Sequence, residues 1–411
     1  MPENWKTYKL EDLVTKLGDG IHGTPKYSDN GEYYFINGNN LVDDKILIKP
    51  DTKRVSKNEY EKHKRELNDR TLLVSINGTI GKVAYYNNEK VMLGKSACYF
   101  NVKEDVDKAF IKQVISSKYF IDYLESNYTG SVIKNVSLKS MREMPINLPP
   151  LLEQKAIAKI LSAIDDKIEN NLAMNKTLEE MAMALYKHWF VDFGPFQEGN
   201  FIDSELGPIP EGWEVKKLGE IYNTTSGGTP SRKKLEYYEN GTIPWVKSKE
   251  LYGNFIIETE EKITELGLSK SSAKLVPEKT VMLAMYGATV GESSILSKRA
   301  CSNQAICSIM QKELSYVYIF QFLRYFKNDI LNQAVGSAQQ NISQAIIKDL
   351  QIIVPPRNLN IFKEIEMLYS QIEENLIENQ ILTQLRDTLL PKLISGEVRL
   401  KEFENQVTEV L

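Results

Sequence analysis

Residues 130–150 read GSVIKNVSLKSMREMPINLPP, and residues 336–356 read GSAQQNISQAIIKDLQIIVPP. The offset is 206 residues with no gap; Asn135 answers Asn341, Ser137 answers Ser343, and both stretches end in Pro-Pro. The likeness continues on either side. WKTYKLEDLV from Trp5 matches WEVKKLGEIY from Trp213, and Gly-Thr-Pro recurs at Gly23 and Gly228. LVSINGTIGKVA from Leu73 matches LAMYGATVGESS from Leu283, and Cys98 answers Cys307. Internal self-similarity marks a repeated structural unit. At 411 residues the chain is also longer than one hydrophobic core usually serves. Two equivalent units of about 150 residues are therefore expected.

Each unit reads as mixed α and β. Short apolar runs such as Tyr33–Leu41 and Ile243–Leu251 end in polar loops, and Asn77-Gly78 between β-branched residues signals a tight turn. Apolar residues at three-to-four spacing predict helices over Asp107–Leu124 and Tyr316–Gln333. PINLPP and QIIVPP read as last strands, closed by prolines that cannot continue a ladder. Each unit is followed by a heptad pattern. Ile157, Leu161, Ile164, Ile168, Leu178, Ala182, Leu185 and Trp189 form one seam, with Asn171 and Asn175 filling two steps. Ile365, Leu368, Ile372, Leu382, Leu389 and Leu393 form the other, with Asn375 and Asn379 in the matching steps. Sustained heptads predict paired helices, and buried asparagines fix register at a cost in stability. Gly194 and Gly396 are the expected stops.

The expected architecture is α+β: two mixed globular domains separated by long helices that form an antiparallel coiled coil, with pseudo-twofold repetition. The domains are placed at 1–150 and 213–356, the helices at 151–194 and within 357–411, and a linker rich in Gly and Pro at 195–212.

The formal charge of −4 hides a pattern. Residues 1–150 carry 23 basic and 20 acidic side chains, and residues 211–356 carry 17 and 15. The helical segments are acidic: 5 against 10 over 151–210, and 6 against 10 over 357–411. Total charge is thus the wrong statistic for nucleic-acid binding here. The start, MPENWKTYKL, has no apolar leader, no stretch approaches a membrane span, and the three cysteines read as reduced core thiols. A cytoplasmic protein without membrane contact is expected.

LPPLLEQKAIAKILSAIDDKIENN (148–171), LEEMAMALYKHWFVDF (178–193) and NQILTQLRDTLLPKLISGEV (379–398) resemble the specificity subunits of type I restriction-modification systems. GPIPEGWEVKKLGEI (207–221), the repeated Gly-Thr-Pro and the Gly-Thr-Ile-Gly-like loops fit as well. The likeness covers essentially the whole chain. It departs from the family at PPRNLNIFKEI after Val354, where the Glu153-Gln154 pair of the first copy has no counterpart. The resemblance implies two target recognition domains, each reading half of a split site in double-stranded DNA. It implies that the family's conserved helices separate these readers and dock two methyltransferase subunits, which restriction and translocase subunits join. It also implies that the specificity subunit performs no chemistry and carries no cofactor.

The residues agree with an inert reader. Asn147-Leu148-Pro149-Pro150 only superficially resembles a base-holding methyltransferase loop, and Ser226–Pro230 lacks the Gly-Lys-Ser/Thr ending of a Walker loop. The three histidines and three cysteines have no zinc spacing. Candidate DNA contacts in the first unit are Lys53, Arg54, Lys57, Lys64 and Arg65, within the basic stretch Lys45–Arg70, together with the amides of Asn37, Asn39 and Asn40. In the second they are Arg232, Lys233 and Lys234 after the Gly-Thr-Pro turn, and Lys247 and Lys249 in the loop equivalent to the asparagines. Glu179 and Lys187 are read as solvent-facing and partner-binding. The alternative is a protein-interaction scaffold with no base recognition of its own. Because the loops differ, an asymmetric target is expected.

Overall fold

The computed structural model describes residues 2–127, 135–332, 341–356 and 362–399. Gly130-Ser131, Gly336-Ser337 and the start of the second helical segment at 357–361 lie outside them. The chain divides into two compact units, Met1–Lys167 with residues from Leu382 onward, and Ile168–Ile381. Both boundaries fall inside long helices, so each unit owns part of both.

In the first unit, a four-stranded antiparallel sheet runs in the order Val14–Asp19, Ala97–Val102, Thr71–Ser75, Val83–Tyr85. A three-stranded sheet sets Tyr33–Ile36 between Arg54–Val55, antiparallel, and Val91–Leu93, parallel. A third ladder joins Lys6–Lys9 to Pro145–Leu148. The second unit follows the same plan. Asn223–Ser226, Ile306–Met310, Val281–Ala284 and Ser293–Leu296 form the larger sheet, extended by Phe255–Ile256. Ile243–Val246 lies between Glu261–Ile263 and Cys301–Ser302, and Glu214–Lys217 pairs with Gln351–Val354. The central strands Thr71–Ser75 and Val281–Ala284 are buried throughout, which suits their largely apolar sequences.

The turns after these strands require their glycines. Gly78 and Gly81 have φ of 76° and 82°, and Gly287 and Gly291 have 85° and 78°, conformations that side chains with a Cβ resist. The paired strands of each unit can close tightly only there. The stretch expected to be one helix over Asp107–Leu124 is two, Lys108–Ile115 and Lys118–Ser126. Ser117 breaks it by accepting the Phe120 N–H and capping the second piece. In the other unit Tyr316–Tyr325 and Lys327–Asn332 are likewise separate, and Gln333 lies outside the described residues.

The long helices are Leu151–Phe190 and Lys363–Ser395. Within the second unit, Asn171 donates to Asn379 Oδ1 at 2.8 Å and Asn375 donates to Asn175 Oδ1 at 2.8 Å. The pairing runs backwards along one helix as it runs forwards along the other, so the helices are antiparallel. All four amides are buried. Within the first unit the same register brings Arg386 to Asp165 at 3.2 Å. The first helix stops at Phe190, ahead of the expected Gly194, and Phe193 takes the left-handed turn with φ 50°. Its ring packs edge-on to Trp213 at 5.5 Å, and that burial offsets the strain of a non-glycine residue there.

Packing of the helices onto the sheets differs between units. In the second, Ala182, Tyr186 and Phe190 of one helix and Ile365, Tyr369 and Ile372 of the other enter one continuous apolar core. In the first, buried Lys112 lies 2.5 Å from Asp44 and 3.2 Å from Asp165, and Gln113 donates to the same Asp165 carboxylate. These positions correspond. Six residues before the first seam asparagine stand Asp165 and Tyr369, and five residues after the capping Asp107 and Ser315 stand Lys112 and Phe320. The Phe320 and Tyr369 rings meet edge-on at 5.5 Å. At these corresponding positions one unit thus sets ions where the other sets aromatic rings.

Candidate nucleic-acid interface

Equivalent loops follow the middle strand of the three-stranded sheet in each unit. Asn37-Gly38-Asn39-Asn40 and Lys247-Ser248-Lys249-Glu250 both close as one turn of 3₁₀ helix. Asn40 Oδ1 accepts the Asn37 N–H at 3.0 Å, and Glu250 Oε2 accepts the Lys247 N–H at 2.7 Å. One backbone device therefore carries two different sets of side chains. The cost is that the fourth residue is committed. Asn40 is buried and its amide also donates to the Leu47 carbonyl, so it holds the loop. Asn37 is half-buried and accepts from Ser96 Oγ, while Asn39 is exposed.

The antiparallel partner strand and the residues flanking it supply charges beside each loop. In the first unit Lys53, Arg54 and Lys57 are exposed, and the Arg54 guanidinium lies 4.8 Å from the centre of the Tyr34 ring. Among the described residues, no carboxylate pairs with any of the three within 4.0 Å. Lys64 is exposed but pairs with Glu61 at 2.7 Å. Arg65 is spent on the fold, donating to the carbonyls of Asp19 and Gly20 at 2.7 and 3.2 Å. Arg70, in the same basic stretch, donates to the carbonyls of Val102, Lys103 and Val106. Both Arg65 and Arg70, read as part of one cationic surface, are thus internal scaffolding.

The second unit is built differently. Lys247 reaches Glu260 at 2.6 Å and Glu261 at 2.8 Å, Lys249 reaches Glu260 at 2.7 Å, and Arg232 reaches Glu261 at 2.5 Å. Arg232 also lies over Tyr238 and Trp245, 4.5 and 4.9 Å from the ring centres. Tyr238 donates to the Pro230 carbonyl and Trp245 to that of Gly228, so the Gly-Thr-Pro turn fixes the rings beneath the guanidinium. Hydrogen bonds from Arg232 and then Lys247 hold the Glu261 carboxyl below the usual carboxylate range. Lys233 is exposed, and exposed Lys234 lies 5.1 Å from the Tyr237 ring centre. Nothing in the order of residues marked Glu260 and Glu261, which lie well beyond the lysines they hold.

Glu179 is not solvent-facing in the sense expected. It accepts from Asn254 at 2.5 Å and from Arg324 at 3.4 Å, so it ties the helix to its own sheet domain. Lys187 is exposed and pairs with Asp192 at 2.6 Å. The exposed large apolar side chains on the helices lie elsewhere: Leu152, Leu172, Met174 and Met181 on the first, Met367, Ile381 and Leu385 on the second. They stand off the heptad seam, and that phase was the signal that could have found them. The cysteines are buried, and burial pushes the thiols of Cys301 and Cys307 up to about 12, which leaves them unreactive. No described helix is long and apolar enough to cross a membrane.

A sequence profile of the type I restriction modification DNA specificity domain matches residues 2–180 and again 210–386, once for each repeat. The chain belongs to this family. It is similar to the type I restriction enzyme MjaIX specificity subunit of Methanocaldococcus jannaschii, 29% identical over 421 residues, covering 98% of this chain and 95% of that one. It is also similar to the HindI specificity subunit of Haemophilus influenzae, 26% identical over 350 residues, with 69% and 75% covered. The fold matches a crystal structure of the S subunit from M. genitalium with a TM-score of 0.61 at 20% identity, covering 95% of this chain and 96% of that one. The chain is a specificity subunit, and its part in restriction-modification is DNA recognition, not catalysis.

Proposed function

We propose that the two units are separate readers, each recognising one half of a split, asymmetric target in double-stranded DNA. Residues 1–150 form the first reader and 213–356 the second. The observation that carries this is the pair of equivalent loops, in which one backbone turn presents Asn37 and Asn39 in one unit and Lys247 and Lys249 in the other. Short amides and cations make different hydrogen bonds with base edges, so a shared frame with unlike side chains suits two unlike half-sites. Lys53, Arg54, Lys57, Lys64, Arg232, Lys233 and Lys234 then contact DNA around those loops; Asn40 acts only by shaping its loop, and Arg65 by holding the backbone at Asp19 and Gly20.

The antiparallel helix pair is the scaffold of the assembly. Two methyltransferase subunits dock on it, and restriction and translocase subunits join that core. The exposed Leu172, Met174 and Met181, not Glu179, supply the apolar contacts, with Lys187 at their edge. Mapping every methylated base in host DNA carrying this system tests the reading. A split target with two unlike halves is expected. A palindromic target contradicts it, and so does a target unchanged when the globular units are exchanged, as a pure protein scaffold requires.

A further inference from the structure

The two candidate readers differ in more than their letters; they differ in electrostatic design. The strand registers make the comparison residue by residue. Tyr33 pairs with Val55 in the first unit and Ile243 with Ile263 in the second. Two residues back along each partner strand stand Lys53 and Glu261. Each lies opposite an aromatic residue of the middle strand: the Phe35 N–H donates to the Lys53 carbonyl at 2.8 Å, and Trp245 pairs with Glu261. A cation in one reader is therefore an anion in the other. The same correspondence matches Asn37 to Lys247. The first reader has a neutral loop beside the uncompensated charges of Lys53, Arg54 and Lys57. The second has cations on the loop, each held by a carboxylate behind it.

These arrangements do different things to DNA. An exposed lysine or arginine without a carboxylate partner attracts phosphate and releases condensed counterions, and each such contact steepens the salt dependence by about 0.9 in log–log slope. A cation already paired with glutamate brings little net charge. What it offers is a fixed position. Arg232 is anchored at Nη1 by Glu261 and underlaid by two rings, and the Lys247 side chain is largely covered, at 15% exposure. Donors held in place suit base edges, where a misplaced hydrogen bond costs specificity.

We propose that the readers divide the work unequally, the first supplying most of the salt-sensitive phosphate grip through Lys53, Arg54 and Lys57, and the second reading bases with cations positioned by Glu260 and Glu261. The proposal rests on the reading of these loops as the DNA interface. Glu260 and Glu261 are positioning residues, acting through Arg232, Lys247 and Lys249.

The test uses the full chain assembled with its co-expressed partner subunits, and fluorescently labelled duplexes carrying the target mapped from methylated host DNA. Affinity is measured by anisotropy over a range of potassium chloride concentrations. Lys53→Gln, Arg54→Gln and Lys57→Gln together should lower the salt slope by about 2–3, on the figure of about 0.9 per phosphate. They should leave the ratio of cognate to mutated half-site binding unchanged. Glu260→Gln with Glu261→Gln should leave the slope unchanged or steeper, yet cut discrimination at the second half-site by about tenfold, within the range set by one good base contact. Arg232→Lys, which keeps charge and loses the planar fork, should cut discrimination likewise. Equal slope changes from cation removal in both readers, with discrimination intact in the glutamate variants, would overturn the division of work while leaving the interface reading standing. No change in affinity or discrimination from any variant, with unaltered melting temperatures, would overturn both.

Discussion

Replacing Asp165 tests the ionic joint of the first unit. Its carboxylate takes Lys112 at 3.2 Å, Gln113 at 3.0 Å and Arg386 at 3.2 Å, and so connects a sheet-domain helix to both long helices within that unit. Removing one partner of a buried ion pair costs about 3–5 kcal/mol, because the other charge is left without compensation. Here Asp44 stays beside Lys112 and the Asp165 side chain is 22% exposed, so about 2–3 kcal/mol is the better expectation for Asp165→Ala. For a unit of this size, that lowers the melting temperature by about 4–12 °C. The double replacement Lys112→Met with Asp165→Leu should recover most of the loss, since the second unit fills the same positions with Phe320 and Tyr369. Burial raises the Asp165 pKa, but the Lys112 charge and the hydrogen bonds from Gln113, Arg386 and Lys112 outweigh it, and the net shift is downward. A carboxylate depressed in the folded state stabilises above its unfolded pKa of about 3.9 and loses that stabilisation as pH falls through the folded value. The difference between wild type and Asp165→Ala should thus be full at neutral pH and shrink only below about pH 4. Calorimetry at several pH values reads both quantities. A loss under about 0.5 kcal/mol at pH 7, the scale of an ordinary surface change, would refute the reasoning.

Asn175→Ala strands the buried Asn375 amide and should cost about 1–3 kcal/mol in chemical denaturation, whereas leucine at both positions should stabilise the pair and loosen its register. Glu179→Ala should lower the melting temperature of the second unit by freeing Asn254 and Arg324 while leaving partner assembly intact by light scattering. Met181→Asp should do the reverse, because the side chain is exposed and its loss touches no core contact. If the paired helices set the gap between half-sites, one heptad inserted between Asn175 and Lys176 and another between Glu374 and Asn375 keeps the seam in phase and adds about 10.5 Å. Selection from duplexes with randomised gaps should then favour a spacer about three base pairs longer, at about 3.4 Å per step.

Much of the architecture was legible because it is periodic. The heptad seams, the four asparagines and the repeated Gly-Thr-Ile-Gly-like turns each mark a position whose geometry follows from spacing or from φ alone. The helix break at Ser117 was not legible, because a capping serine and an interior serine look alike until its hydroxyl finds the Phe120 N–H. The left-handed turn at Phe193 was not legible because glycine at 194 was the better local candidate, and only tertiary packing on Trp213 offsets the strain one residue earlier. The candidate site was legible by residue type but not by commitment. Asn40, Arg65 and Arg70 have the chemistry of DNA contacts and spend it on backbone carbonyls, and Glu179 spends its charge on Arg324. Long-range partners of this kind leave no trace in local spacing.

The central claim is that two similar frames read two different half-sites, and exchange of one frame tests it most directly. Residues 213–356 are replaced by the corresponding segment of a relative with a known, different target, the helices are left untouched, and the methylated bases of a host expressing the hybrid are mapped. The account predicts that one half of the target changes to the donor's while the other half and the spacer stay as they were. A hybrid that folds, assembles and methylates, yet alters both halves together or neither, would contradict it.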